Sequence, residues 1–276
     1  MIALSWTAMN GCTGKCSQPS ENEVAETLMS YLVDATKRVI SPLFPERWKR
    51  YVKGELFHVP DTESSLRRMK RLGFNPAVAI DVGAYVGDWT RSFKQIFPES
   101  RVLMIEPQAS ATAALCNAKS ELHNLELRVA LLGARAEASV GFYESETASS
   151  VLAEARNRRP PTTHMPMTTL DAITEGGPFA RPDLIKLDVQ GYEIEVMRGG
   201  AHALESVEAV LMEVNLLRLH DGAPLFHDSA EYMGKRGFQV YDLCSLIRRP
   251  YDGAVWQADV IFIRNSSPLV FSNRWS

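Results

Sequence analysis

The chain has 276 residues, of which 45% are hydrophobic and 23% charged, and its formal net charge is −3. This balance fits one globular domain, or one domain with an N-terminal extension, and argues against a general attraction to nucleic acid or anionic membranes. The sequence contains no run of about 18 apolar residues, and residues 1–14 lack the basic and apolar regions of a secretory signal. We therefore expect a cytoplasmic protein with no nucleic-acid or membrane partner.

The first 72 residues are predicted to precede the main domain. Residues 1–19 are rich in Gly, Ser, Asn and Thr without a visible period, which is typical of a disordered lead-in. Ser20 and Glu23 have the spacing of a capping box, and apolar residues follow at helical spacing. A second helix is predicted over 61–72. Residues 20–72 are thus expected to form a small helical extension.

From residue 77 onward, short apolar runs alternate with helical stretches. Strands are predicted at 77–82, 101–105, 125–132, 140–143, 184–189, 209–214, 238–243 and 260–264. Helices are predicted at 90–97, 109–120, 193–204 and 229–236. This alternation predicts an α/β domain with a mostly parallel sheet and helices on both faces, and the last two strands are close enough for one to be antiparallel. The main domain is placed at 73–268 and a C-terminal tail at 269–276.

The stretch 144–166 is polar, has no clear period and is long for a simple connection. It carries four side chains that suit an acidic or phosphate-bearing acceptor: Arg156, Arg158, Arg159 and His164. We hypothesise that this stretch is a mobile lid that contributes to acceptor binding. A disordered surface loop is the alternative.

Two glycines follow the first predicted strand, in the run DVGAYVGD over 81–88. Gly83 and Gly87 would let the backbone turn sharply and approach a ligand, although a tight turn without a ligand explains them equally well. The second strand ends in Glu106, nineteen residues after Gly87, where an acid can accept two hydrogen bonds from a ribose diol. Together these features predict an adenosine-containing ligand.

The turn also indicates which adenosine ligand would bind. The dinucleotide fingerprint G-x-G-x-x-G is absent, because the turn has Tyr85 and Asp88 at two of its positions. A pyrophosphate would be repelled by Asp81 and Asp88, whereas a sulfonium with a free amino group would be attracted. The sequence therefore favours S-adenosylmethionine over NAD.

Two further strands end in acids. The strand predicted over 184–189 carries Asp188 near its end, and the next strand ends with Glu213 and Asn215. Acids on neighbouring strand ends suggest a polar active site, and helix capping is the alternative for each. His220 lies in the polar segment that follows, and an unperturbed imidazole titrates near neutrality. Simple solvation is the alternative interpretation of this histidine.

Several segments in chain order resemble the FkbM family of methyltransferases, over roughly residues 66–268: AIDVGAYVGDWT, MIEPQ, DLIKLDVQGYEIEVMRGGA, EAVLMEVN and DVIFIR. The resemblance implies a class I methyltransferase fold, Rossmann-like, with a mostly parallel seven-stranded sheet. It also implies S-adenosylmethionine-dependent methylation of a hydroxyl on a sugar, a glycan or a polyketide-like natural product.

The resemblance also assigns site residues. The implied cofactor-binding residues are Asp81, Gly83, Ala84, Tyr85, Gly87, Glu106, Pro107 and Asp188. Asp188, Gly191 and Glu193 match the family's D-x-E-G-x-E block. The chain departs from the family twice, because the family usually has Asn in place of Tyr85 and Glu in place of Gln190.

Methyl transfer to oxygen needs an aligned hydroxyl and benefits from a base. Asp188 is the first candidate for the base and His220 the second, and Glu213 is assigned to the catalytic group with them. Asp188, Glu213 and Asn215 could also supply oxygen ligands to magnesium, but a metal-free site is favoured. The alternatives are a nicotinamide-dependent oxidoreductase and a catalytically degenerate, methyltransferase-like binding module.

Overall fold

The computed structural model describes residues 60–155 and 159–272. The predicted lead-in over 1–19 and the helix predicted to begin at Ser20 lie outside these residues. Within the described ranges, no helix combines the length and apolar character needed to cross a bilayer.

Seven α-helices and ten strands are described in these ranges. The helices are α1 (Thr62–Arg71), α2 (Asp88–Ile96), α3 (Thr112–Glu121), α4 (Leu170–Thr174), α5 (Glu193–Arg198), α6 (Ala201–Ser206) and α7 (Phe226–Gly234). The strands are β1 (Val78–Val82), β2 (Arg101–Ile105), β3 (Leu125–Arg128), β4 (Leu131–Leu132), β5 (Glu137–Phe142), β6 (Thr163–Thr168), β7 (Leu184–Leu187), β8 (Ala209–Asn215), β9 (Phe238–Arg248) and β10 (Val255–Arg264). Short 3-10 turns lie at Ala109–Ala111, Glu146–Ala148 and Pro268–Val270.

The main sheet has seven strands in the order β3-β2-β1-β7-β8-β10-β9. β10 runs antiparallel to both of its neighbours, and the other pairings are parallel. This order, with one antiparallel strand next to the edge, is that of class I methyltransferases. The predicted fold class is therefore confirmed, including the antiparallel strand near the C-terminus.

Helices cover both faces of this sheet because the strand residues alternate between two cores. Ile80 packs in one core with side chains of α5, α6 and α7. Ala79 packs in the other core with side chains of α1, α2 and α3. Both faces are thus buried, which explains why the central strands are almost wholly apolar.

The helix predicted over 61–72 is confirmed as α1. The carboxylate of Asp61 caps it by accepting a hydrogen bond from the Ser64 amide at 2.8 Å. Gly73 follows the helix with a φ of +103°, a conformation that favours glycine. α1 packs against α2 and β9, and Arg68 forms a 2.8 Å ion pair with Asp242.

A second sheet, in the order β4-β6-β5, corrects two predictions. The single strand predicted over 125–132 is divided between the two sheets as β3 and β4. The end of the predicted 144–166 loop belongs to β6, because Met165 and Met167 lie on one face of that strand and pack with Leu131 and Phe142. The alternation of two methionines was the available signal.

The helix predicted over 193–204 is also corrected, because it is divided into α5 and α6 at Gly199 and Gly200. A Cβ atom at Gly199 would lie 2.1 Å from the carbonyl oxygen of Gly133, and one at Gly200 would lie 2.8 Å from Leu170 Cδ2. At Gly199 the neighbour is backbone, so only glycine fits there, whereas at Gly200 the neighbour is the end of a leucine side chain that can move.

Candidate active site

A cavity of about 230 Å³ opens at the carboxyl ends of β1, β2 and β7. This is the edge where parallel α/β sheets bind ligands. Six of the predicted site residues line it: Gly83, Ala84, Tyr85, Glu106, Pro107 and Asp188. Asp81 and Gly87 lie just outside this lining, Asp81 buried within β1 and Gly87 capping α2. The assignment of all eight residues to the cofactor stays a prediction.

The turn between β1 and α2 is packed tightly against the end of β7. Gly83 has a φ of +76°, and a Cβ atom there would lie only 1.9 Å from the carbonyl oxygen of Asp188. Gly87 has a φ of +85°. The two glycines therefore have conformational and steric reasons to be glycine, whether or not a ligand is bound.

Tyr85 has a φ of +45°, which is unusual for a residue with a bulky side chain. Such a conformation costs about 1 kcal/mol or more and persists where the surroundings hold it. The Tyr85 amide donates a hydrogen bond to Glu106 Oε2 at 2.9 Å, which ties the turn to the end of β2. The strained residue thus lies on the cavity wall, at one of the two departures from the family pattern.

Glu106 is only 3% exposed, and its carboxylate has a fixed orientation. Oε2 accepts from the Tyr85 amide and Oε1 accepts from the Gln108 amide, both at 2.9 Å. Burial raises the pKa of Glu106, while these two amides act in the opposite direction. Each carboxylate oxygen has a further lone pair, so Glu106 can accept additional hydrogen bonds from a ligand in the cavity.

Lys186 lies within the buried strand β7 and was not predicted as a site residue. Its Nζ donates to the Gly83 carbonyl at 2.9 Å and lies 3.1 Å from Asp81 Oδ1 and 3.6 Å from Asp188 Oδ2. Burial alone would lower the pKa of Lys186. The negative charges of Asp81 and, to a smaller extent, Asp188 outweigh the effect of burial, so the pKa is raised. The sequence contained a signal for these contacts, because a lysine within an apolar strand is buried and a buried charge needs partners.

Gln190 joins the two acids that the sequence assigned to catalysis. Its Nε2 donates to Asp188 Oδ1 at 2.9 Å and to Glu213 Oε1 at 2.8 Å. Gln257, which was not predicted, also donates to Glu213 Oε1, at 2.9 Å. Burial, followed by repulsion from Asp188, raises the pKa of Glu213 well above its ordinary value. The structure thus brings Asp188 and Glu213 together through an amide.

Glu193 stabilises the turn that carries Asp188. Its Oε1 accepts from the Val189 amide at 3.1 Å and from the Gly191 amide at 3.0 Å. Burial raises the pKa of this carboxyl to about 7. Its role in the structure is to cap the turn after β7.

His220 lies apart from the residues that line the cavity. It is buried and forms an antiparallel bridge with Glu154, and burial lowers its pKa. The bridge joins the segment after the 3-10 turn at Glu146–Ala148 to the segment after β8. The assignment of His220 as a base stays a prediction.

The described part of the predicted lid forms one wall of the cavity. Glu146, Thr147, Ser149 and Val151 line it. The Ser150 hydroxyl donates to the Gln190 carbonyl at 2.9 Å, which connects this wall to the turn after β7. Arg156 and Arg158 lie outside the described residues, and His164 lies in β6 rather than in a loop. The mobility of the lid stays a prediction.

Metal-binding clusters are a separate question from the cavity. Over 60–155 and 159–272, it contains no group of three or more His, Cys, Asp or Glu side chains that could hold a metal ion.

The chain is similar to known methyltransferases. A model of the family described as the methyltransferase FkbM domain matches residues 81–240. A curated relative, the hexuronic acid methyltransferase AglP of Haloferax volcanii, is 40% identical over 45 residues. That match covers 16% of this chain and only 19% of the relative.

Solved methyltransferase structures match at low identity. Magnesium protoporphyrin IX methyltransferase (ChlM) from Synechocystis PCC 6803 is 14% identical, with a TM-score of 0.42, over 74% of this chain and 78% of that one. Precorrin-6y C5,15-methyltransferase from Geobacter metallireducens GS-15 is 11% identical, with a TM-score of 0.41, over 72% of this chain and 86% of that one.

Proposed function

Because this chain belongs to the FkbM methyltransferase family, we propose that it is an S-adenosylmethionine-dependent O-methyltransferase. The proposed acceptor is a hydroxyl of a sugar, a glycan or a polyketide-like natural product. The observation that carries the proposal is Glu106, a carboxylate fixed by two backbone amides on the wall of the cavity. Its place at the end of β2 suits a ribose diol.

The charges that line the cavity support S-adenosylmethionine rather than NAD. Among the described residues, four acids line it, namely Asp88, Glu106, Glu146 and Asp188, together with one cation, Lys186. Lys186 is paired with Asp81 and Asp188. A cationic sulfonium and an ammonium group are attracted to such a cavity, whereas a pyrophosphate is repelled.

Trp89 is a second residue whose surroundings suit the proposed cofactor. It lines the cavity, and its buried indole Nε1 has no hydrogen-bond partner among the described residues. A buried donor without a partner is unfavourable, so a ligand with an acceptor, such as a carboxylate, would stabilise it. The methionine part of the proposed cofactor carries such a group.

S-adenosylmethionine, when bound, supplies an electrophilic methyl group. In the proposed mechanism Glu106 would hold the ribose hydroxyls, and residues of the turn over 83–87 that line the cavity would contact the rest of the cofactor. Asp188 orients the acceptor hydroxyl and takes its proton at a carboxylate oxygen. Lys186 and Gln190 hold that carboxylate in place. No metal is required in this mechanism.

The acceptor class is supported by the family and by the name of the relative, a hexuronic acid methyltransferase. The test incubates the protein with methyl-tritiated S-adenosylmethionine and either p-nitrophenyl glucuronide or p-nitrophenyl glucoside. Transfer of label to a glycoside hydroxyl supports the proposal.

Calorimetry with S-adenosylhomocysteine and with NAD separates the alternatives. Binding of NAD without binding of S-adenosylhomocysteine would refute the proposal in favour of an oxidoreductase. Binding of S-adenosylhomocysteine without transfer to sugar or polyketide hydroxyls would refute it in favour of a binding module.

A further inference from the structure

The side-chain amide of Gln190 lies between two carboxylates. Nε2 is 2.9 Å from Asp188 Oδ1 and 2.8 Å from Glu213 Oε1. Asp188 Oδ1 and Glu213 Oε1 both act as acceptors here, so the NH₂ group faces both acids, with one hydrogen directed at each. A neutral group thereby joins two acids that would otherwise repel each other.

Other charged groups around this amide are already engaged. The cation nearest to Asp188 is Lys186, whose Nζ is shared with Asp81 and with the Gly83 carbonyl. Glu193 on α5 and Asp259 on β10 add negative charge near Glu213 and contribute to its raised pKa, after burial and Asp188. Glu213 therefore depends on the amides of Gln190 and Gln257 for its hydrogen bonds.

The backbone at Gln190 adopts an unfavourable conformation, with a φ of +56°. Glu193 accepts hydrogen bonds from the amides on either side of it, and the Ser150 hydroxyl donates to its carbonyl. Because strained residues persist only where the surroundings hold them, this turn is built to keep one conformation. That conformation directs the side chain of Gln190 to the two acids.

We propose that Gln190 is a positioning residue that fixes the Asp188 carboxylate against Glu213 and so presents Asp188 to the acceptor hydroxyl. This inference rests on the proposed function, in which Asp188 acts on that hydroxyl. The neutral amide gives each acid a fixed hydrogen-bond donor and so a defined orientation.

Two variants test this role. Gln190→Gly removes the amide and relieves the strain of the positive φ, and a circular dichroism spectrum checks that the variant folds. We expect kcat to fall about tenfold or more with the glycoside that the wild type methylates. Affinity for S-adenosylhomocysteine should change by less than about threefold. A kcat within about twofold of the wild type would overturn the proposal.

Gln190→Glu supplies a readout that a merely structural role would not change. A carboxyl at position 190 can donate a hydrogen bond only while it holds its proton, and it would lie between Asp188 and Glu213. The charges of Glu193, Asp259 and Lys186 also act on Glu213. We expect this variant to keep activity at acidic pH and to lose it as the pH rises. Gln239→Glu, the same change on the exposed edge of β9, is the control. A pH–rate profile that matches the wild type would overturn the proposal.

A measurement without acceptor separates this inference from the proposed function. Carboxyl-carbon NMR follows the titration of Glu213 in the wild type and in Gln190→Leu, which removes the donor but keeps the volume. We expect Glu213 to titrate at a higher pH in the variant, because its charged form loses a hydrogen bond. An unchanged midpoint overturns the inference. A shifted midpoint in a protein that transfers no methyl group would refute the proposed function and leave the contact of Gln190 with the acids supported.

Discussion

On the side of the cavity formed by β1 and β2, Glu106 is fixed by backbone amides, whereas on the side formed by the end of β7, Asp188 is fixed by side chains. We refer to the turn over 83–87 with Glu106 as the cofactor side, and to Asp188, Gln190 and Glu213 as the acceptor side. Backbone donors survive most substitutions, but a side-chain donor is lost with its residue. The comparison predicts that the acceptor side is the more easily altered by single substitutions.

The largest effect is expected at the point where the two sides touch. In Gly83→Ala the new Cβ would lie 1.9 Å from the Asp188 carbonyl oxygen, at a φ of +76°. We expect unfolding to become easier by about 3 kcal/mol or more, measured in urea. Gly176→Ala is the control, because Gly176 also has a positive φ but nothing lies near its Cβ position. Equal losses of unfolding free energy in the two variants would contradict the close approach of Gly83 to the Asp188 carbonyl oxygen.

Asp188→Asn tests the chemistry of the acceptor side. We expect turnover to fall by about a hundredfold or more while cofactor affinity changes little, because the variant cannot take a proton. Asp183→Asn, before the other end of β7, should keep its turnover, since Asp183 serves the backbone amides of Ala77 and Val78. Full activity in Asp188→Asn would limit Asp188 to a structural role.

A chelator tests whether Asp188 acts with or without a metal ion. A metal-free site predicts that EDTA leaves the turnover of the wild type unchanged. Inhibition that added magnesium reverses would instead make Asp188 and Glu213 candidates for metal ligands.

Glu106→Ala tests the cofactor side. The loss of charge-assisted hydrogen bonds to a ribose should weaken S-adenosylmethionine binding by more than about tenfold, measured by calorimetry. The amides of Tyr85 and Gln108 would also lose their acceptor, so a circular dichroism spectrum must show that the fold survives. An unchanged affinity would remove Glu106 from the binding site.

A smaller effect concerns pH. Burial raises the pKa of Glu193 to about 7 from 4.5, so in this window the folded state holds a proton that the unfolded state has released. Stability therefore falls as the pH rises through the window. In Glu193→Gln the side-chain carbonyl can still accept hydrogen bonds from the turn, but the group no longer titrates. We therefore expect the free energy of unfolding, measured in urea, to fall less in this variant than in the wild type between about pH 5 and about pH 8. An identical pH dependence would contradict the raised pKa.

The smallest effect is expected at the wall of the cavity. Ser150→Ala removes the hydroxyl that donates to the Gln190 carbonyl and accepts from the Leu152 amide, which should destabilise the wall by about 1 kcal/mol. Amide exchange over residues 144–155 should become faster in the variant, with Ser120→Ala on the exposed face of α3 as the control. Exchange as slow as in the wild type would show that other contacts hold this wall.

The cofactor side was largely predictable from the sequence. Gly83, Gly87 and Glu106 follow consecutive strands, and both the strands and the turn have local signals in composition and period. The mostly parallel sheet and its antiparallel strand near the C-terminus were predictable for the same reason, whereas the order of the strands was seen only in the structure. What local patterns did not show was the close contact of Gly83 with Asp188, which comes from a distant strand.

The acceptor side was predictable only as a set of acids. Gln257 is 44 residues from Glu213, and Lys186 is 103 residues from Gly83, so no spacing along the chain connects them. Gln190 was noticed as a departure from a family pattern, but its position between two carboxylates depends on the pairing of β7 with β8. Side-chain contacts between strands need the folded sheet before they can be recognised.

Lys186 and its two acids constrain how this protein can change through evolution. Replacing the lysine alone would leave Asp81 buried with its negative charge unmatched, and replacing either acid alone would weaken the balance that keeps the lysine charged. Single substitutions at 81, 186 or 188 are therefore expected to be worse than the combined change, which is strong epistasis among residues in contact. Related sequences should accordingly keep or exchange this trio together.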